Sequence, residues 1–222
     1  MQKTDNIFVS EKNFKTFHLT TTKCCGNMKN AVDRDSFCNH IAIDGKNIVF
    51  ANQVHGISVK KVSSADCGKF MDNCDGLITD DKNIFLCIFT ADCMPVFMAS
   101  KDYSVVAMIH AGWRGLAGGI IESALTKFVK DFSVNPCDIV AYVGPHILRC
   151  CYRVGDELKK AFHVSSDEEY FSLSNEAETQ MRKTGIKKVY LSPHCSCHEK
   201  ETFFSYRRDK TANRMMSLIK CS

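Results

Sequence analysis

Three short segments of the sequence each place a metal-binding or nucleophilic side chain at the end of an apolar run. They are His55 in NQVHG, Cys93 in FTADCMP and His110 in IHAGWRG. Cys93 and His110 are 17 positions apart and His55 lies a further 38 upstream, so any shared site has to be assembled by the fold. Two histidines and a cysteine suit catalytic zinc, which takes three protein ligands and keeps a fourth position for water. Such a site brings the pKa of its water to about 7.

The same residues are open to two other interpretations. Cys93 can act as a nucleophile with His110 as its base, which would make the chain a cysteine hydrolase. Alternatively, each residue is structural, because a buried cysteine usually behaves as a small hydrophobe and a histidine near a strand end usually forms a hydrogen bond in the core. Spacing alone does not decide among the three.

The segment after His110, AGWRGLAGG, is predicted to be a glycine-rich turn from a strand into a helix. Glycines let backbone N–H groups approach an anion, and Arg114 offers a fork for phosphate or carboxylate. The segment matches neither a Walker A loop nor a dinucleotide fingerprint. A tight turn with close helix packing is the alternative, and Trp113 can stack on a flat substrate or fill the core.

The C-terminal segment PHCSCHEKETFFSYRRD contains two further features. A compact candidate metal site is formed by His194, Cys195, Cys197 and His198. Its C-x-C spacing is shorter than the usual spacing of cysteines in a zinc knuckle. The arginines of FFSYRRD, Arg207 and Arg208, suit an anion site or an ion pair. The doublets Cys24-Cys25 and Cys150-Cys151 are expected not to bind metal, since adjacent side chains on a strand point to opposite faces.

Composition limits the function classes. Thirteen cysteines among 222 residues cannot all pair, and no stretch has the apolar length of a signal peptide or a membrane span, which predicts a cytoplasmic protein with reduced thiols. The formal charge of +4 is too small to predict nucleic-acid binding. The sequence makes no prediction of the oligomeric state.

Apolar runs between positions 47 and 111, separated by Gly, Asp, Asn or Lys-Asp breaks, predict several strands buried on both faces. Residues 1–46 are expected to be irregular, with a strand near 14–21 and a polar loop over 22–38. Helices are predicted at 116–132, 155–162 and 175–183, the last ending before Gly185. A further strand is expected at KKVYLS, and RMMSLIK is predicted to be a strand or a short helix. The alternation indicates one mixed α/β domain with helices outside the sheets.

The chain resembles the laccase-domain family, long known as polyphenol oxidases and understood as purine nucleoside phosphorylases with adenosine deaminase activity. The resemblance rests on NQVHG, DGLITD, TADCMPVFM, IHAGWRGLAGGI, VGPHILRCCYRVGDEL and FFSYRRD, which occur in order over about 47–219. It implies an α+β fold over residues 1–222, a four-layer α/β/β/α sandwich with mixed sheets in a single domain. It also implies zinc held by His55, Cys93 and His110.

The resemblance further implies phosphorolysis of inosine, adenosine or guanosine to the base and ribose-1-phosphate, with deamination of adenosine and methylthioadenosine as a further substrate. Purine nucleosides and phosphate are then the expected partners, without nucleic acid or membrane. Arg114, Arg207 and Arg208 are candidate anion contacts, Gln53 a substrate or supporting contact, and Asp92 a proton carrier.

Two alternatives and two departures remain. A copper-dependent polyphenol oxidase would need many histidine ligands, and the chain has 8; a non-enzymatic zinc-binding protein is the other alternative. Where the family usually has Gly and then Thr-Gly-Arg after SYRRD, this chain has Lys210 and then residues 211–214 as TANR. Arg153 replaces an acidic residue of CCYEVG.

Overall fold

Two six-stranded mixed sheets lie face to face in the computed structural model, which describes residues 8–222. The strands are β1 (Phe8–Val9), β2 (His18–Thr21), β3 (Ile48–Ala51), β4 (Val59–Lys61), β5 (Phe70–Met71), β6 (Gly76–Thr79), β7 (Phe85–Thr90), β8 (Met94–Ser100), β9 (Val106–Ala111), β10 (Ile139–Val143), β11 (Lys188–Leu191) and β12 (Met215–Ile219). One sheet has the order β1-β2-β12-β7-β3-β5 and the other β11-β10-β8-β9-β6-β4.

Helices cover the outer faces of the two sheets. They are α1 (Ala31–His40), α2 (Trp113–Gly118), α3 (Ile120–Phe132), α4 (Asp156–Ala161), α5 (Leu173–Lys183) and α6 (Tyr206–Asp209), with short 3-10 turns at Lys23–Cys25, Gly45–Asn47, Ser64–Asp66 and Pro136–Asp138. Within residues 8–222, no helix combines the length and apolar character needed to cross a membrane.

Three apolar clusters separate the layers. The cluster between the sheets joins β7 side chains such as Leu86 to β8 and β9 side chains such as Phe97 and Met108. A second cluster packs α3 and α5 against the β8–β9 sheet, and a third packs α1 against the β7 sheet through Phe37. This arrangement confirms the four-layer α/β/β/α sandwich.

The strands predicted to be buried on both faces are confirmed, because every residue of β7, β8 and β9 is buried. RMMSLIK forms a strand, β12, which pairs with β2 and β7. The last strand thus lies between β2 and β7, which are far from it in sequence. The local sequence pattern does not reveal such pairings.

The helix predictions need two corrections. The single helix predicted at 116–132 is two helices, α2 and α3, separated by Gly119 at φ 93°. The polar loop predicted over 22–38 contains the helix α1, whose first turn is capped by Asn30 accepting from the Val32 N–H. This helix escaped detection because it buries only Phe37 and Cys38 and lacks an apolar stripe. The part of the N-terminal prediction covering residues 1–7 lies outside the described residues.

The other two helices match their predictions. They are α4 and α5, and Gly185 has φ 102° and closes the turn that follows α5, as its predicted capping role requires.

Candidate metal centre

The structure brings His55, Cys93 and His110 together. One donor atom from each lies within 4.8 Å of the other two, and the imidazole rings are nearly perpendicular with centroids 4.9 Å apart. His110 belongs to β9, Cys93 precedes β8, and His55 follows β3 in a loop of residues 52–56, the His55 loop. His110 is buried, Cys93 is half-buried and His55 is exposed, so the cluster opens onto the surface.

A buried carboxylate supports two of these residues. Asp75 is fully buried, and its Oδ1 accepts a 2.7 Å hydrogen bond from Nδ1 of His110. This bond fixes the tautomer and directs Nε2 of His110 towards the other two donors. Sequence reasoning missed Asp75, although the residue opens the DGLITD motif; a carboxylate just before a buried strand was the available signal.

The same carboxylate holds the His55 loop. Its oxygens accept the backbone N–H groups of Val54, His55 and Gly56 at 3.1, 2.9 and 2.7 Å. His55 has φ 60°, a left-handed conformation that non-glycine residues rarely adopt, and these bonds keep it there. Burial opposes ionisation of Asp75, but the bonds from His110 and the loop outweigh it and lower the pKa of the carboxyl.

Cys93 and His110 favour charged forms in each other's presence. Burial alone would raise the pKa of the Cys93 thiol, yet His110 and His55 lower it to about 6. Burial alone would lower the pKa of His110, yet Cys93 and Asp75 raise it to about 9. The cysteine is therefore prepared to be a thiolate, which is the form that binds a metal.

The glycines after His110 leave space for the cluster because they lack a Cβ atom. A Cβ at Gly112 would lie 3.1 Å from Sγ of Cys93 and 3.3 Å from Cδ2 of His55. A Cβ at Gly115 would lie 2.9 Å from the carbonyl oxygen of Gly56. α2 therefore lies directly against the His55 loop, as the packing alternative predicts. Trp113 packs partly against the core.

Gln53 and Asp92 are bound to the scaffold around the cluster. The Gln53 amide donates to the Phe89 carbonyl and accepts the Phe89 N–H, both at 2.8 Å, which ties the His55 loop to β7. Asp92 has φ 85°; its carboxylate accepts from Oγ of Ser196 at 2.7 Å and from the backbone N–H of Arg207 at 2.6 Å. It therefore joins the ligand-bearing turn to the C-terminal segment. Substrate or proton-transfer roles for both stay predictions.

The three predicted anion-binding arginines have different environments. Arg208 directs all five N–H groups at protein acceptors: the carbonyls of Ser196, Cys197 and Phe203 and the carboxylate of Asp209. An anion contact by Arg208 would require these bonds to exchange.

Arg207 and Arg114 donate fewer hydrogen bonds to the protein than Arg208 does. Arg207 lies over the Tyr152 ring and donates from Nη1 to the Arg153 carbonyl. Arg114 is exposed, stacks on Trp113 and reaches Glu157 only at 3.3 Å.

Tyr152 is a second residue that sequence reasoning missed. Its ring is buried, and burial together with the Cys93 charge raises the pKa of its phenol to about 12, while Arg207 and Arg114 oppose that rise. Tyr152 is therefore close enough to Cys93 and to both arginines for their charges to affect its phenol, and the Arg207 guanidinium lies 5.1 Å from its ring. Its position in the CCY motif was the signal for it. The neighbouring Arg153, the departure from the family pattern, pairs with Glu169 at the surface.

The donor set fits a catalytic metal. Two imidazoles and a thiolate surround one point, a buried carboxylate orients one imidazole, and the exposed side at His55 leaves room for a further ligand. Surface clefts of about 510 and 310 Å³ lie around His18 and around Phe171.

Comparisons with known proteins show the family of this chain. Residues 3–222 match the family described as multi-copper polyphenol oxidoreductase laccase. A purine nucleoside phosphorylase of Clostridium acetobutylicum is 29% identical over 96% of this chain and 89% of its own length, and that of Bacillus subtilis is 30% identical over 97% and 86%. The crystal structure of YlmD from Geobacillus stearothermophilus superposes with a TM-score of 0.88 at 27% identity, covering 97% of this chain and 98% of that one. The chain belongs to the laccase-domain family.

Proposed function

We propose that this chain is a zinc-dependent purine nucleoside phosphorylase that also deaminates adenosine. The observation that carries the proposal is the convergence of His55, Cys93 and His110 in front of the Asp75 carboxylate, in a family whose curated relatives are named purine nucleoside phosphorylases. Inosine, adenosine and guanosine are the proposed nucleosides, with phosphate as the second substrate and methylthioadenosine as a further one.

Zinc is favoured over copper by the donor count. Copper oxidases bind several copper ions through many histidines, whereas this chain has 8 histidines and only two of them join Cys93. Zinc with three protein ligands supplies Lewis acidity and a water that ionises near neutral pH. Asp75 keeps the His110 imidazole oriented for that ion.

In phosphorolysis, a phosphate oxygen bonds to C1′ of the ribose while the bond from C1′ to N9 of the purine breaks. Arg207 and Arg114 are the proposed phosphate contacts, because protein acceptors engage fewer of their N–H groups than those of Arg208, and because both charges oppose the rise in the pKa of Tyr152. The bound dianion stabilises the positive charge that develops on the ribose. Arg208 holds the C-terminal segment in place for Arg207.

In deamination, water adds to C6 of adenosine and ammonia leaves, giving inosine. The leaving nitrogen needs a proton, and Asp92 is the proposed carrier because its carboxyl lies on the turn that presents Cys93. Val54 and Ile57 are exposed apolar side chains on either side of His55, and they offer surface to a flat purine.

The cytoplasm is the proposed location, because none of the 13 cysteines is in a disulfide.

The proposal is tested with purified, zinc-loaded protein. Inosine should yield hypoxanthine and ribose-1-phosphate only when phosphate is present, and adenosine should release ammonia. Cys93→Ala should lose both activities, whereas Cys137→Ala, which removes an exposed thiol far from the cluster in sequence, should retain both. Failure of the zinc-loaded protein in both assays, or equal activity of Cys93→Ala and wild type, would show the proposal to be wrong.

A cysteine hydrolase is the second candidate. It is favoured by one observation: Cys93, His110 and Asp75 lie in the order nucleophile, base and orienting carboxylate. Removing the metal with a chelator distinguishes the two functions. A hydrolase keeps its activity without metal and loses it when iodoacetamide alkylates Cys93, whereas the phosphorylase loses its activity on chelation alone.

A further inference from the structure

A second group of thiols lies where two turns meet. One turn, residues 148–152, follows β10, and the other spans residues 194–198. A parallel bridge between His146 and Cys195 joins them, with the Ser196 N–H donating to the His146 carbonyl at 2.9 Å. Cys150, Cys151 and His198 converge at this junction, and Cys195 adjoins them through its contact with Cys150; we call these four residues the thiol cluster.

Two sulfur–sulfur distances in the thiol cluster match those of a tetrahedral metal site. The Sγ atom of Cys150 is 3.7 Å from that of Cys151 and 3.8 Å from that of Cys195. A donor atom of His198 and the two sulfurs of the doublet all lie within 4.8 Å of one another. A tetrahedral ion with metal–sulfur bonds of about 2.3 Å separates its sulfurs by about 3.8 Å.

Cys195 carries a second, independent sign of a metal ligand. It is buried, and its Sγ accepts backbone N–H groups from Leu148 and from His198, both at 3.4 Å. Backbone N–H groups directed at sulfur stabilise the negative charge of a metal-bound thiolate. One donor comes from each turn, so both turns are shaped around this sulfur.

The turn conformation also allows Cys150 and Cys151 to bind the same metal, although they are adjacent in sequence. Neighbouring side chains point to opposite faces only on a strand, whereas the N–H groups of Cys151 and Tyr152 both bond the Leu148 carbonyl in a turn. Cys150 and Cys151 therefore lie side by side, and the expectation that they would not bind metal is wrong in its premise. The HCxCH cluster is divided, because His194 bonds Glu199 instead.

We propose that Cys150, Cys151, Cys195 and His198 form a second metal site, for a thiophilic divalent ion such as Zn²⁺. Binding releases one proton from each thiol and leaves three thiolates and one neutral imidazole on the ion.

The ion would act as a staple beside the His55–Cys93–His110 centre. The two turns that it joins also hold Asp92, through the Ile147 N–H on its carbonyl and the Ser196 hydroxyl on its carboxylate. The site does not depend on the reaction proposed above, since its ligands are separate from those of the other centre.

Metal content of protein purified without chelator tests the site. Wild type should hold two zinc ions per chain, and Cys150→Ser, His198→Gln and Cys93→Ala should each hold one. Cys150 and His198 are exposed, so their replacement should not prevent folding. Cys137→Ser, another exposed cysteine, is the matched control and should keep both ions.

Cobalt substitution identifies which ion remains. The thiolate-to-cobalt absorption per bound ion should be about threefold stronger in Cys93→Ala, which keeps three thiolates, than in Cys150→Ser, which keeps one. A single ion in wild type that disappears in Cys93→Ala would overturn the proposal. So would a disulfide between Cys150 and Cys195 in the metal-free purified protein, detected as a loss of two hydrogens in its mass. Loss of enzyme activity with both ions still bound would bear only on the proposed function.

Discussion

Nδ1 of His110 lies 2.7 Å from Oδ1 of Asp75, with both side chains buried. The same carboxylate accepts three backbone N–H groups from the His55 loop, so one residue positions two of the three side chains of the candidate metal centre. Because Asp75 can only accept hydrogen bonds when ionised, it also determines which ring nitrogen of His110 can face a metal.

Asp75→Asn should weaken zinc binding by about 10- to 100-fold, since the amide supplies one acceptor in place of two and presents an N–H group to the donors of the loop. Zinc affinity measured by competition with a chromophoric chelator checks this. Asp80→Asn, at an exposed aspartate, is the control and should match wild type. Unchanged affinity in Asp75→Asn would show that the orienting bond is dispensable.

Gly112→Ala should impair metal binding without unfolding the protein. Its φ of −77° suits alanine, so the substitution acts through the added Cβ, 3.1 Å from Sγ of Cys93. Gly155→Ala, whose Cβ would meet nothing within 4 Å, is the matched control. We expect lower zinc affinity for the first variant alone, with melting temperatures of the metal-free proteins within a few degrees of wild type. Equal zinc affinities would contradict the steric explanation.

Stability should fall on the acid side because of His146. This histidine is fully buried, its Nδ1 donates to the Gly144 carbonyl and its Nε2 has no partner among the described residues. Burial lowers its pKa to about 4, against the opposing effects of Gly144 and Asp92. Between about pH 6.5 and 4 the unfolded chain therefore binds a proton that the folded chain does not, and the free energy of unfolding declines by up to about 3 kcal/mol.

Urea unfolding of metal-free protein across this pH range measures the effect. His146→Asn keeps a donor towards Gly144 and should show a shallower decline than wild type. His18, whose pKa burial also lowers, should supply part of the remaining slope. The exposed His40 provides the control, since His40→Asn should leave the slope unchanged. An unaltered slope in His146→Asn would assign the acid sensitivity to other groups.

Replacing the two adjacent arginines should have different consequences. Arg208→Ala removes hydrogen bonds to three backbone carbonyls and to Asp209, so we expect a loss of about 1–3 kcal/mol in the free energy of unfolding. Arg207→Ala should change stability less and raise the KM for phosphate by about 10- to 100-fold. Denaturant titration and phosphate-dependent kinetics distinguish the two, and a reversal of the pattern would exchange their roles.

Lys210 offers a stabilising substitution. It follows α6 with φ 52°, a left-handed conformation that favours glycine, at the position where the resembled family usually has glycine. Lys210→Gly should stabilise the protein by about 0.5–1 kcal/mol, whereas Lys210→Ala, which keeps a Cβ, should not. Thermal unfolding of both variants checks the expectation. A gain shared by both variants would contradict the conformational explanation.

Strands and helices were predicted correctly where the local pattern of apolar residues was strong. Strands β7 to β9 were predicted because continuous apolar runs occur only where both faces of a strand are covered. Helix α1 was missed because it lies on the surface and buries few side chains. The break at Gly119 was missed because an apolar stripe continues through the start of α3, although the backbone turns there.

By itself, the sequence determined the layered α/β architecture, the family and the three residues that meet at the candidate metal centre, because those depend on local periodicity and on motifs in order. The tertiary structure decided how they are supported. Asp75 bonds His110, and the charge of Cys93 acts on Tyr152, only because distant strands and turns pack together. The thiol cluster likewise exists only where the turns at 148–152 and 194–198 meet, since 44 positions separate Cys151 from Cys195. Contacts between segments so far apart are set by packing, which leaves no spacing rule in the sequence.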